Sequence, residues 1–129
     1  MLLGQLLRET RLTLESHGIL EASIEAELFL MKTLGLERSQ LYSYLDKPVA
    51  SEDIESLKLY LSRRFCGEPW PYICGYREFY GIKIRVNPSV FIPRPETELL
   101  VDLALDYAHM LSIDRQLFIA DACTGSGAV

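Results

Sequence analysis

A chain of 129 residues, 49% of them apolar, is long enough for one compact domain or for a small domain joined to part of another. Its formal charge of −5 argues against direct nucleic-acid binding, because such proteins cluster Lys and Arg to displace counterions and the only adjacent basic pair here is Arg63-Arg64. No apolar run approaches the roughly 18 to 20 residues of a membrane helix, and Met1-Leu2-Leu3-Gly4 lacks the charged-then-apolar order of a signal peptide, which points to a soluble cytoplasmic protein without membrane contact.

The first 66 residues read as four helices. Leu2, Leu3, Leu6, Leu7 and Leu14 recur at helical spacing, and His17-Gly18 ends the first helix. Ser23 is placed to cap a second helix with Ile24, Leu28 and Met31 on one face and Gly35 at its end. A short third helix is expected from Ser39 through Leu41, Tyr42, Tyr44 and Leu45, before Pro48. Ser51 is the expected cap of a fourth, with Glu52 and Asp53 in its first turn and Ile54, Leu57, Leu61 and Phe65 as its stripe. Nothing on these stripes is polar enough to suggest chemistry inside the bundle, so their leucines and tyrosines read as core.

At Gly67-Glu68-Pro69-Trp70-Pro71 two prolines within three residues favour an extended linker and mark a domain boundary. Tyr76–Tyr80 and Ile82–Val86 then read as a β-hairpin around Gly81, with Ile82, Ile84 and Val86 on a buried face and Lys83 and Arg85 on a wet one. The segment Asn87 to Pro95 holds three prolines, which stiffen it as an extended arm. Pro95 opens a further helix with Glu96 and Glu98 at its positive end and Leu99, Leu100, Leu103, Ala104 and Tyr107 on its apolar face, running to Met110 or Leu111. Gln116 to Asp121 has the profile of a buried parallel strand, followed by Ala122-Cys123-Thr124-Gly125-Ser126-Gly127. The organisation expected is therefore an α+β fragment: a helical bundle over 1–66, a proline-rich linker and hairpin over 67–93, and the first helix and strand of a Rossmann-like domain over 94–129.

Two constellations carry chemistry. A glycine-rich turn at the carboxyl end of a parallel strand lets backbone amides approach a ligand, and Asp121 would orient that loop. In the second, Phe91-Ile92-Pro93-Arg94-Pro95-Glu96-Thr97-Glu98, a proline frame presents a guanidinium, a hydroxyl and two carboxylates. Its plainer reading is a capped helix start with Arg94 paired to one glutamate. Cys66, Cys74 and Cys123 are odd in number and lack ligand spacing, so neither a disulfide framework nor a zinc site is expected; His17 and His109 are isolated.

Gly67-Glu68-Pro69, Tyr72-Ile73, Gly75-Tyr76-Arg77-Glu78-Phe79-Tyr80-Gly81, the arm Phe91 to Glu98 and the loop Asp121 to Gly127 occur in the order seen in HemK-type release-factor glutamine methyltransferases, which the whole chain resembles. That resemblance implies transfer of a methyl group from S-adenosylmethionine to the glutamine amide of the Gly-Gly-Gln motif in a peptide-chain release factor. It assigns Asp121, Cys123, Thr124, Gly125, Ser126 and Gly127 to the cofactor loop, and Phe91, Pro93, Arg94, Pro95, Thr97 and Glu98 to an arm beside the pocket. The chain departs from the family in carrying Cys123 where a glycine is usual and in having no Asn-Pro-Pro-Tyr segment, which holds the substrate amide in the family, so no catalytic residue is assigned. The acidic residue that would take the ribose hydroxyls is also missing. The chain is therefore expected to be a truncated, inactive portion of the enzyme, binding S-adenosylmethionine weakly at best. The competing readings are a non-catalytic helical module that holds a release factor or ribosome-associated partner, and a methyltransferase acting on other amides or amines, nucleic-acid bases included.

Overall fold

The computed structural model of the chain describes residues 1–111 and 116–129. These fall into two units, Met1–Ile73 and Cys74–Val129.

In the first unit, α1 (Leu3–Ser16) and α2 (Ala22–Leu34) form a helical hairpin turned at Gly18, whose φ of 76° suits a residue without a Cβ. The first amides of α1 meet partners outside the helix: Leu3 N donates to Lys47 O and Gly4 N to Leu45 O, each at 2.9 Å. Glycine eases the close approach at Gly4, since a Cβ there would stand 3.1 Å from Leu45 O and press on that backbone. The short α3 (Arg38–Ser43) and then α4 (Ser51–Phe65) complete a four-helix unit, and Arg63 and Arg64 in the last turn of α4 suit its negative end.

The core forms where leucines at i, i+3 and i+4 face one another. Leu3, Leu6 and Leu14 of α1 meet Leu57 and Leu61 of α4 and Leu41 of α3 in one buried cluster. At its centre α2 contributes Ala22, Ala26, Phe29 and Leu30, whose alanines let neighbouring helices close in. Burying a side chain such as Phe29 stabilises by about 2 kcal/mol. Arg64 of α4 grips Glu25 of α2 in a two-pronged pair, Nε to Oε2 at 2.8 Å and Nη2 to Oε1 at 3.0 Å. Arg63 binds Glu68 in the same way at 2.7 and 2.6 Å, which lowers the Glu68 carboxyl below its usual range through the hydrogen bond first.

Several sequence expectations change here. Helix α2 begins at Ala22 with Glu21 as its cap residue, so Ser23 lies inside the first turn. The expected face is only partly buried: Met31 packs against the core, but Ile24 points outward at 52% exposure. Helix α2 is apolar on most sides, so spacing alone selects no face, and the small Ala22 and Ala26 decide it by permitting closer packing. Ala50 rather than Ser51 precedes α4, and α3 starts one residue before Ser39 and buries only Leu41. The expected extended linker is instead a short helix, α5 (Trp70–Cys74). Pro71 is tolerated because first-turn amides need no helical partner, and Tyr72 N and Ile73 N reach back to Pro69 O. Trp70 meets the Phe29 ring edge-on, centroids 4.6 Å apart, which draws this segment onto the bundle.

In the second unit, β1 (Tyr76–Phe79) and β2 (Ile82–Arg85) pair antiparallel, Glu78 opposite Lys83 and Phe79 opposite Ile82. Tyr80 and Gly81 turn the hairpin with φ of 50° and 73°, the two-residue turn that matches strand twist. A tyrosine in this left-handed region carries a strain of about 1–2 kcal/mol. Phe79 and Val86 are buried, but Ile82 is 61% exposed, so the buried face is shorter than the alternation suggested. Pro95 opens a 3₁₀ turn, Pro95–Thr97, rather than the α-helix expected from it, and α6 (Glu98–Leu111) follows. No residue of α6 is buried. Residues 116–121 form no strand and are exposed, Phe118 to 88%. A parallel strand exists only through hydrogen bonds to a neighbour, and among the described residues none runs beside this one.

Candidate functional site

The arm begins with a turn built by Asn87, whose side-chain oxygen accepts from Ser89 N at 2.9 Å while its carbonyl accepts from Val90 N at 3.1 Å. Beyond that turn the chain is extended through Arg94 (φ −93°, ψ 143°), as expected of residues that precede proline. Phe91 is exposed, and the Arg94 guanidinium lies over its ring, 5.5 Å from the centroid. The expected ion pair between Arg94 and a neighbouring glutamate is not formed among the described residues; the guanidinium stays open to solvent on its aromatic rest. Pro95 opens the 3₁₀ turn, and Thr97 N donates to Arg94 O at 3.0 Å. Pro93, Thr97 and Glu98 are half-buried. Glu98 does not face the arm: its Oε1 accepts from Tyr80 N at the hairpin turn, 2.9 Å away.

The loop lies further along the same unit. Asp121, Cys123, Thr124, Gly125 and Gly127 are exposed and Ser126 is half-buried. Cys123, Gly125 and Gly127 take positive φ values of 67°, 57° and 74°. Thr124 O accepts from Gly127 N at 2.8 Å, closing a tight turn. Cys123 therefore holds a left-handed backbone that glycine adopts without penalty, at a cost of about 1–2 kcal/mol. Among the described residues, no hydrogen bond or ion pair joins the arm to the loop.

Two groupings escaped sequence reasoning. In the first unit, Glu27 of α2 is only 7% exposed. It accepts from Arg38 Nε at 2.8 Å and from the Tyr42 hydroxyl at 2.6 Å, partners that make its burial affordable. The Glu27 hydrogen bond pushes the Tyr42 phenol above its usual range, with burial adding to it, and raises Arg38 against an opposing effect of burial. Glu27 and Tyr42 border a cleft of about 430 Å³ that also meets Gly4, Arg8, Arg11 and Ser23. The available signal was a second carboxylate two residues after Glu25, directly before the apolar run Leu28 to Met31. The second grouping is Tyr80, whose hydroxyl donates to Asp102 Oδ1 at 2.7 Å; no spacing rule links a turn residue to a helix 22 positions on.

Among the described residues, no three His, Cys, Asp or Glu side chains stand close enough to hold a metal ion, and no helix is long and apolar enough to cross a membrane.

Residues 5–75 match the family model of the PrmC N-terminal domain. Over 116 residues, 90% of this chain, it is 42% identical to the release factor glutamine methyltransferase of Vibrio cholerae, covering 39% of that protein. It is 43% identical to the enzyme of the same name from Coxiella burnetii over 82% of this chain and 37% of that protein. Against the Bacillus subtilis protein of that name, identity is 40% over 81% of this chain and 36% of that protein. The chain thus spans about two fifths of the length of the curated relatives it matches. With a helical unit matched from Gln5 to Gly75 and a hairpin, arm and helix following in the expected order, the chain belongs to the PrmC N-terminal domain family.

Proposed function

We propose that this chain supplies the helical unit, arm and cofactor loop of an enzyme that methylates the glutamine amide in the Gly-Gly-Gln motif of a peptide-chain release factor, with S-adenosylmethionine as donor. The supporting observation is that 42% identity to a release factor glutamine methyltransferase extends over 90% of the chain, well beyond the matched amino-terminal domain. In this reading residues 1–66 are the bundle, 67–93 the linker and hairpin, and 94–129 the start of the methyltransferase domain. The protein works in the cytoplasm on a protein substrate and does not bind nucleic acid directly.

The loop's residues fit the donor. Three of its residues take left-handed backbone, and the added Cβ of Gly125 would meet nothing nearer than Cys123 O at 3.8 Å, so amides lie open to a small polar ligand. When bound, S-adenosylmethionine supplies an electrophilic methyl group. Asp121 and the backbone of Cys123 to Gly127 would hold it, while Phe91, Pro93, Arg94, Pro95, Thr97 and Glu98 would form the wall beside it. An amide nitrogen is a poor nucleophile until it is positioned and stripped of water. The 129 residues contain no Asn-Pro-Pro-Tyr; assayed by themselves they are expected to bind the donor weakly and transfer no methyl group.

The test uses the full-length protein that contains this chain, radiolabelled S-adenosylmethionine and a release factor with its Gly-Gly-Gln motif intact or changed to Gly-Gly-Ala. Label on the intact factor alone supports the proposal. Label on both, or on neither, overturns it; tight binding without label leaves the non-catalytic module in its place.

A further inference from the structure

The tip of the hairpin carries a side chain where turn chemistry asks for Gly, Asn or Asp. Tyr80 sits at φ 50° ahead of Gly81 at 73°, and an aromatic ring gains nothing from that backbone. What it gains is reach. The Tyr80 amide donates to Glu98 Oε1 at 2.9 Å and its phenol donates to Asp102 Oδ1 at 2.7 Å. Glu98 and Asp102 are one helical turn apart on α6 and share a face, so one turn residue grips two successive turns of the helix. The phenol is kept protonated above its usual range, first by the Asp102 hydrogen bond, then by burial and the nearby Asp102, Asp106 and Glu98 charges, so it remains a donor.

Between these grips runs the chain from 81 to 97, which holds β2, the Asn87 turn and the proline arm. β2 is held along its length by β1, and Val86 N continues the pairing to Gly75 O at 3.1 Å. Beyond Val86 the arm runs from the hairpin to α6, and tying the hairpin turn to α6 brings those two ends together and reduces the freedom of the stretch between them. A strained residue held by two specific partners is a signature of a site where position matters.

Resting on the reading of Phe91 to Glu98 as the pocket arm, we propose that Tyr80, Glu98 and Asp102 form a clamp that fixes the arm for methyl transfer. Tyr80 and Asp102 are positioning residues: they touch neither donor nor substrate, and act by holding Phe91 and Arg94 in place.

The experiment compares the full-length wild-type protein with Tyr80→Phe, Asp102→Ala, Asp102→Asn and Asp106→Ala. Hydrogen exchange is read at the amides of Phe91, Ile92 and Arg94, and kcat and KM are measured for methyl transfer to a release factor. Tyr80→Phe and Asp102→Ala are expected to speed arm exchange about tenfold and to lower kcat about tenfold, with KM for S-adenosylmethionine within about twofold of wild type. Asp102→Asn, which keeps an acceptor oxygen, restores most of both. Asp106→Ala removes a neighbouring charge that accepts no hydrogen bond from Tyr80 and matches wild type. Equal arm exchange in all variants overturns the clamp, and faster exchange at unchanged kcat overturns its part in the reaction. A wild-type protein that transfers no methyl group to the factor overturns the functional reading instead, while exchange still decides the clamp.

Discussion

The two units spend similar apolar sequence on different ends. In Met1–Ile73 the leucine stripes of α1, α2 and α4 converge and leave Phe29, Leu14, Leu30 and Leu41 fully buried. Among the described residues of Cys74–Val129 only Phe79 and Val86 are buried, while Leu99, Leu103, Tyr107 and Met110 stand 58–74% exposed along α6. Segment 117–120 lies along that helix beside Ala104, Tyr107 and Leu111, with a groove of about 330 Å³ between. An amphipathic pattern sets which face of a helix is apolar; burial needs a partner for that face. The bundle carries its partners within 73 residues, whereas the α6 face is still open, an apolar patch of the kind that marks an interface.

That contrast can be broken by mutation. The largest effect is expected from Phe29→Ala, which empties the centre of the bundle and costs about 3–5 kcal/mol, read as the loss of midpoint in urea. Next comes Leu103→Ser. In the 129 residues it is expected to change stability by less than about 0.5 kcal/mol, but in the full-length protein by about 2–3 kcal/mol if a further layer covers α6; equal small effects in both would show that the face stays open. Cys123→Gly removes the positive-φ strain and stabilises the loop by about 1 kcal/mol, seen as slower exchange at Gly125 and Gly127 with no change in the bundle. The smallest effect is a pH effect. The Tyr42 phenol is raised above its ordinary value near 10 by Glu27, so the protonated form is favoured in the folded state. Its contribution is complete below that ordinary value and is lost as pH rises through the elevated one. Tyr42→Phe should therefore cost about 0.5–1 kcal/mol at pH 8, an exposed-site allowance for one charged hydrogen bond, and flatten the decline in stability measured above pH 10.

How much was legible in the sequence follows the same division. Helices α1 and α4 could be read because their stripes alternate with charge and stop at Gly18 and Gly67. The face of α2 could not, since Ile24, Leu28 and Met31 compete with Ala26, Phe29 and Leu30 and only the neighbouring helices choose. Two prolines disguised α5, because a rule for helix interiors was applied to a first turn. Leu117 to Ala120 has the composition of a strand without a neighbour to make it one. At the candidate site, the proline arm, a helix entry near Pro95 and the odd Cys123 were visible locally, but not that Pro95–Thr97 would form a 3₁₀ turn and α6 would start at Glu98. The Glu98 bond to Tyr80 and the Glu27 bond to Tyr42 join residues 18 and 15 apart, and no local pattern encodes such pairs.

The seam at the start of α1 has a consequence for synthesis. The amides of Leu3 and Gly4 find their partners at Lys47 and Leu45, and Val49 N returns to Met1 O at 3.0 Å. During synthesis α1 therefore waits for roughly 45 further residues before its leading edge is sealed, although α2 is made and can cover its leucines sooner. The segment around residue 47 is the latch that closes the amino end of α1.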